Sequence, residues 1–269
     1  MKRISNREFR IASAGMALSV MTALAMPLVS FAIPARAAAA SGNGMATNGS
    51  SQFCAGLTAK ASATTNKITA LSTKVTQAWA AQDQKLAADQ QNVDQKVTTD
   101  RSQADATRAT DFSKLSAKAT TTAEQQAVQT YETAVQTAVN TRRAAFDAAR
   151  QTFRDGVKSA IAARRSTVTS QITSFNAAVA SAFSTAEAAC TSGSASSSSV
   201  HQTLVTSLKS ARETFQGDRK DDATVGSQVQ QLAATRDAAF KQADATFQAA
   251  MTAARNALKA AFGSSSSNV

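Results

Sequence analysis

The chain has almost none of the residues that turn a backbone. Of its ten glycines only Gly156 lies between Leu57 and Cys190, and neither of its two prolines falls after Pro34. Sheet-containing folds of this length need frequent turns, and turns draw on Gly, Pro, Asn and Asp clusters. Their scarcity excludes such folds and asks for a few very long elements. Aromatic anchors are also few, with Trp79 and Tyr131 each single of their kind. One histidine, His201, and two cysteines, Cys54 and Cys190, are all there is for nitrogen or sulfur ligation. Without a Cys-x-x-Cys pair or a second histidine, zinc and dithiol redox sites are excluded. No Ser–His–Asp set or glycine-rich phosphate loop can be assembled. Asp221 and Asp222 are too little for a calcium loop, which needs more oxygen ligands at ordered spacing. The expectation is a non-catalytic protein without metal or cofactor.

What is present is an apolar repeat. Val135, Phe146, Val157, Val168, Val179 and Cys190 recur every eleven residues, as do Val139, Ile161, Ile172 and Phe183 at one or two periods. Eleven residues make about three helical turns, so such a stripe stays on one side of a long helix with little supercoiling. An earlier segment shows the repeat literally: Asp83-Gln-Lys-Leu-Ala-Ala-Asp89 is followed by Asp94-Gln-Lys-Val-Thr-Thr-Asp100. The expected fold is all-α: an elongated antiparallel helical hairpin, extended to a three-helix bundle with 11-residue (hendecad) coiled-coil periodicity.

Residues 1–37 read as an export signal. Lys2, Arg3, Arg7 and Arg10 precede an uncharged run of 23 residues from Ile11 to Ile33, and Ala35-Arg36-Ala37 offers small residues at a cleavage site. The alternative is membrane anchoring through residues 11–33. Cleavage would leave 24 Lys/Arg against 17 Asp/Glu, a net charge of +7. Residues 38–51 read as a disordered leader, 52–190 as the hairpin, 191–199 as a Ser-rich linker, 200–262 as a third helical region with a break near 216–226, and 263–269 as a disordered tail. The hairpin should turn near Ser116 to Thr122. There Thr121 and Glu124 have the spacing of a capping box, in which each side chain satisfies an amide left free at the helix start.

Cys54 and Cys190 flank this turn almost symmetrically, so an antiparallel hairpin brings them level at its open end. In an exported protein they should form a disulfide. Helices of about 65 residues would make a bundle about 100 Å long. The segment 141–160 also resembles 235–254: Thr-Arg-x-Ala-Ala-Phe occurs in both, and a second Phe follows seven residues later in each.

One charged feature stands out. Arg143, Arg150, Arg154, Lys158 and Arg165 fall within about a quarter turn of each other, counting about 100° per residue. They could bind a polyanion, or pair with the first helix. In the register set by the cysteines, Arg150 faces Asp94, while Arg164 and Arg165 lie near Trp79 and Asp83. The function expected is a structural or interaction module at the cell surface or outside the cell. Its partner would be a protein or an anionic surface polymer, with homo-oligomerisation a further option. The alternatives are an amphipathic lipid- or membrane-surface-binding protein and a periplasmic holdase chaperone.

Overall fold

The computed structural model describes residues 48–220 and 224–265; the expected export signal lies outside them. The described residues are almost wholly helical and contain no strand. Five helices follow in order: α1 (Asn48–Ala55), α2 (Leu57–Ser116), α3 (Thr122–Ser192), α4 (Ser197–Lys220) and α5 (Thr224–Ser265). α1 and α2 are nearly one helix. The Gly56 amide donates to the Gln52 and Phe53 carbonyls, and its own carbonyl accepts from the Lys60 amide at 3.1 Å.

Each break has a local cause. After α2 the chain tightens, with Lys118 N–H donating to Leu115 at 3.0 Å and Ala119 N–H to Ser116 at 3.1 Å. The capping box then opens α3 as its sequence demands. The Glu124 amide donates to Thr121 Oγ1 at 3.2 Å, and Thr121 N–H donates to Glu124 Oε2 at 3.0 Å. Thr120 adds its amide at 2.9 Å and its hydroxyl at 3.1 Å to the same oxygen. The amides of Thr121 and Thr120 lower the pKa of this buried carboxyl group. At the other end, α3 stops where Gly193 takes a left-handed φ of 62°, a conformation that caps helices at little cost only for glycine. The Ser196 hydroxyl accepts the Ser199 amide at 3.3 Å and caps α4.

Several expected boundaries move. Helix begins at Asn48, inside the expected leader, and the linker narrows to residues 193–196 because the serines on either side join helices. The break expected at 216–226 is also shorter, since α4 runs through Lys220 and α5 starts at Thr224. A Cβ on Gly217 would point into open space, with nothing outside its own stretch of helix within 4 Å. A lone exposed glycine costs a helix only about 1 kcal/mol, too little to end it. At the far end α5 runs to Ser265, into the expected tail.

The chain divides into two compact units. The disulfide unit comprises the described residues of 20–85 and 161–225. Cys54 and Cys190 are bonded there, with their Cα atoms 5.8 Å apart. Its core joins Leu57 and Ile68 of α2 to Val168, Ile172, Val179 and Phe183 of α3 and to Val200 and Leu204 of α4. α1 packs on α4, where Phe53 meets His201 edge-on at 5.2 Å.

The turn unit comprises residues 86–160 and the described residues from 226 onward. Its core joins Tyr131, Val135 and Val139 of α3 to Met251 and Ala254 of α5, with Phe112 and Leu115 of α2 against them. In both units α3 runs antiparallel to its neighbours. Phe175 meets Phe215 in the disulfide unit, and in the turn unit Phe146 meets Phe240 while Tyr131 meets Phe112. In the turn unit α5 also comes so close to α3 that a Cβ on Gly156 would lie 2.6 Å from Leu232 Cδ2. The single glycine of the α3 interior sits at this approach.

Candidate functional site

Three of the four arginines of the α3 stripe reach carboxylates on α2. In the turn unit, Arg143 forks onto Asp105, with both Nη atoms 2.9 Å from its oxygens. Arg154 forks onto Asp94 at 2.7 and 3.0 Å. A reciprocal pair runs the other way, with Arg101 of α2 on Asp147 of α3 at 2.8 and 2.9 Å. In the disulfide unit, Arg165 forks onto Asp83 with both distances 2.8 Å, donates to the Trp79 carbonyl at 3.3 Å, and lies 5.5 Å from the Trp79 ring centroid. Two parallel N–H···O bonds per pair make these the strongest geometry open to an arginine and a carboxylate.

The carboxyl groups record this. The bonds from Arg165 hold the Asp83 pKa below its usual value, and those from Arg143, with help from Arg108, do the same for Asp105. At Asp147 desolvation pulls upward, but Arg101 and Arg150 together outweigh it.

Arg150 does not pair with Asp94, the residue that the cysteine register set opposite it. It pairs instead with Asp147 on its own helix, and Arg154 takes Asp94. Helical side chains lean towards the N-terminus of their own helix. Across an antiparallel pair the two partners therefore reach each other from positions a turn out of level. Arg143 touches the Arg101 carbonyl and Arg165 the Trp79 carbonyl, each four residues before the aspartate it grips. Lys158 is exposed and makes no ion pair among the described residues. The flanking Arg164 is half-buried. Among the described residues no group of three His, Cys, Asp or Glu could hold a metal ion.

A second cluster in the turn unit involves a residue that charge patterning alone did not mark. The guanidinium of Arg142 lies over two rings, Phe146 at 4.7 Å and Phe247 at 5.3 Å. Arg236, only 6% exposed, lies over Phe153 at 4.7 Å and Phe240 at 5.8 Å. Between them Phe146 and Phe240 stack at 4.4 Å with planes 27° apart. These are the two Thr-Arg-x-Ala-Ala-Phe segments, packed on each other. Each arginine covers the first Phe of its own copy and the second Phe of the other. The two copies differ in their carboxylates: Arg142 Nε bonds Asp244 at 2.5 Å, whereas Arg236 turns to the adjacent Asp237 at 2.7 and 2.9 Å. The repeated motif was the sequence signal for this clasp.

No protein-family model, curated protein or solved structure matches this chain.

Proposed function

We propose that the chain is an exported, non-enzymatic helical module. Held shut by the Cys54–Cys190 disulfide, it works at the cell surface or outside the cell, and its partner there is a protein or an anionic surface polymer. The observation that carries this reading is the use of the functional-looking side chains. Arg143, Arg154 and Arg165 fork onto aspartates of a neighbouring helix, and Arg142 and Arg236 lie on aromatic rings. They fix helix against helix and leave the outward faces to meet a partner. A disulfide between segments so far apart in sequence fits an oxidising compartment. Among the described residues no helix is long and apolar enough to cross a membrane.

The finer architecture belongs to the same reading. We read the helices as an elongated antiparallel hairpin completed to a three-helix bundle on an eleven-residue packing repeat. Burial of Val135, Val157, Val168 and Val179 supports this, since they are separated by one or two such periods. Small-angle scattering of the mature protein should then give a maximum dimension of about 100 Å.

Fractionation of intact source cells tests the function. The protein should be recovered outside the cytoplasm, with its N-terminus after residue 37 and a linked Cys54–Cys190 peptide under non-reducing conditions. A cytoplasmic protein with free thiols would overturn the reading. Flotation with anionic vesicles would turn it towards the lipid-binding alternative, and suppressed aggregation of an unfolded client towards the holdase.

A further inference from the structure

We infer that the outer face of α2 in the disulfide unit is a binding strip for a linear acidic polysaccharide, with Lys60, Lys67, Lys74 and Lys85 as its contacts. The inference rests on the module reading above and names the chemistry of its partner.

The four lysines share one line. At about 100° per residue they fall within about 40° of each other around the helix. Consecutive lysines are about 10 Å apart up to Lys74, and Lys85 follows about 16 Å later. All four are exposed. None makes an ion pair among the described residues, although lysines elsewhere do: Lys96 with Asp100, Lys114 with Asp111 and Lys209 with Glu213. The Lys60 ammonium lies 5.3 Å from the Phe53 ring centroid, its one close partner.

The sequence keeps the first three lysines of the strip clear of acidic neighbours. No Asp or Glu occurs between Glu8 and Asp83. Three carboxylates of this unit are engaged elsewhere: Asp83 by Arg165, Glu187 by the Thr58 hydroxyl and Glu213 by Lys209. On α2 the nearest carboxylates, Asp83 and Asp89, flank Lys85, whereas Lys60, Lys67 and Lys74 have none within a turn of their own helix on either side. That differs from the α3 stripe, where each arginine has its aspartate.

The chemistry of the face selects the partner. Around the lysines lie Ala63, Thr64, Ala78, Ala81 and Gln82, all small or polar apart from the half-buried Leu71. A membrane-surface helix needs bulky apolar residues beside its lysines. Single-stranded nucleic acid needs open aromatic rings to stack on, and here Phe53 is covered by Lys60 and His201 while Trp79 lies under Arg165. What remains is a straight row of point charges on long flexible stems. That suits a flexible chain with anionic groups at intervals, bound by ion pairing and counterion release.

The test uses the full mature protein and heparin as the probe. One variant carries Lys60, Lys67, Lys74 and Lys85→Gln. A control carries the same charge change at Lys114, Lys118, Lys241 and Lys259, which are equally exposed. The strip variant should bind heparin about tenfold or more weakly, with a shallower dependence on salt, and the control should stay within about twofold of wild type. Circular dichroism and the disulfide map should be unchanged in both. Equal weakening by the two variants, no weakening by the strip variant, or no heparin binding by wild type would overturn the inference. So would tighter binding of wild type to phosphatidylglycerol vesicles or to single-stranded DNA than to heparin. Apart from the vesicle result, which would turn the module reading towards the lipid-binding alternative, these outcomes leave that reading standing if fractionation still places the protein outside the cytoplasm.

Discussion

α2 is held by different physics in the two units. In the disulfide unit it buries Leu57, Ile68 and Val75 and is tied covalently through Cys54 beside its start. In the turn unit it buries nothing: Leu86, Val93, Val97, Phe112 and Leu115 are only half-covered. There it is held by forks between Asp94 and Arg154, Asp105 and Arg143, and Asp147 and Arg101. The real core of the turn unit lies between α3 and α5. Apolar burial is insensitive to pH and little affected by salt, whereas partly exposed ion pairs answer to both. One helix thus passes from a robust attachment to a conditional one.

The largest test of that contrast removes the covalent tie. Replacing both Cys54 and Cys190 with Ser should cost up to about 5 kcal/mol in the chain-entropy account, as an upper bound. The fall in melting temperature would record it. Hydrogen exchange should accelerate most in the disulfide unit, and uniform acceleration of the chain would show that the two units melt as one.

The next largest effect belongs to the aromatic clasp. Phe240→Ala removes a buried ring from the stack with Phe146 and should cost about 3 kcal/mol, seen by urea unfolding. Exchange in α3 and α5 should rise while the disulfide unit keeps its protection.

Acid should act on the forks. Asp83, Asp105 and Asp147 have lowered pKa values in the folded protein. Their contribution is in full force above the unfolded-state range near pH 4, and is lost as pH falls through the lowered native values. Acid titration followed by hydrogen exchange should therefore release residues 86–116 of α2 before the α3–α5 core. Release of the core first would break the contrast.

Smallest are the single forks. Arg154→Ala should cost up to about 1 kcal/mol, because Asp94 is half-exposed and solvent screens the pair. Arg150→Ala, which loses only a same-helix partner, should cost a few tenths of a kcal/mol. A larger effect from Arg150 than from Arg154 would reverse the assignment of Asp94.

Much of the pairing was legible in the sequence. The near-symmetric placement of the cysteines about Thr121 and Glu124 gave the disulfide, the turn and the antiparallel sense of α2 and α3. Thr121 and Glu124 announced the cap because that interaction is local and needs no knowledge of tertiary structure. The aspartate chosen by each arginine was not legible from Cα level alone, since level positions place Arg150 at Asp94. Side-chain lean along the helix axis decides it, and that displaces partners by a turn. The clasp was half legible. The duplicated motif was visible, but nothing in its spacing said that one copy would pack on the other. Boundaries failed where serine and glycine were read as breakers, at residues 48–51, 197–199 and 216–220. A helix carries such residues at modest cost when the remaining residues favour it.

The duplicated motif makes the clasp homotypic. Each copy offers an arginine to cover the other's second phenylalanine and a first phenylalanine to stack, so recognition requires only the motif itself. A chain cut after Lys220 would keep one complete half on α3, ready to take back its missing partner in trans. A synthetic peptide spanning residues 224–265 should therefore bind a chain truncated after Lys220, an outcome that fragment complementation measures.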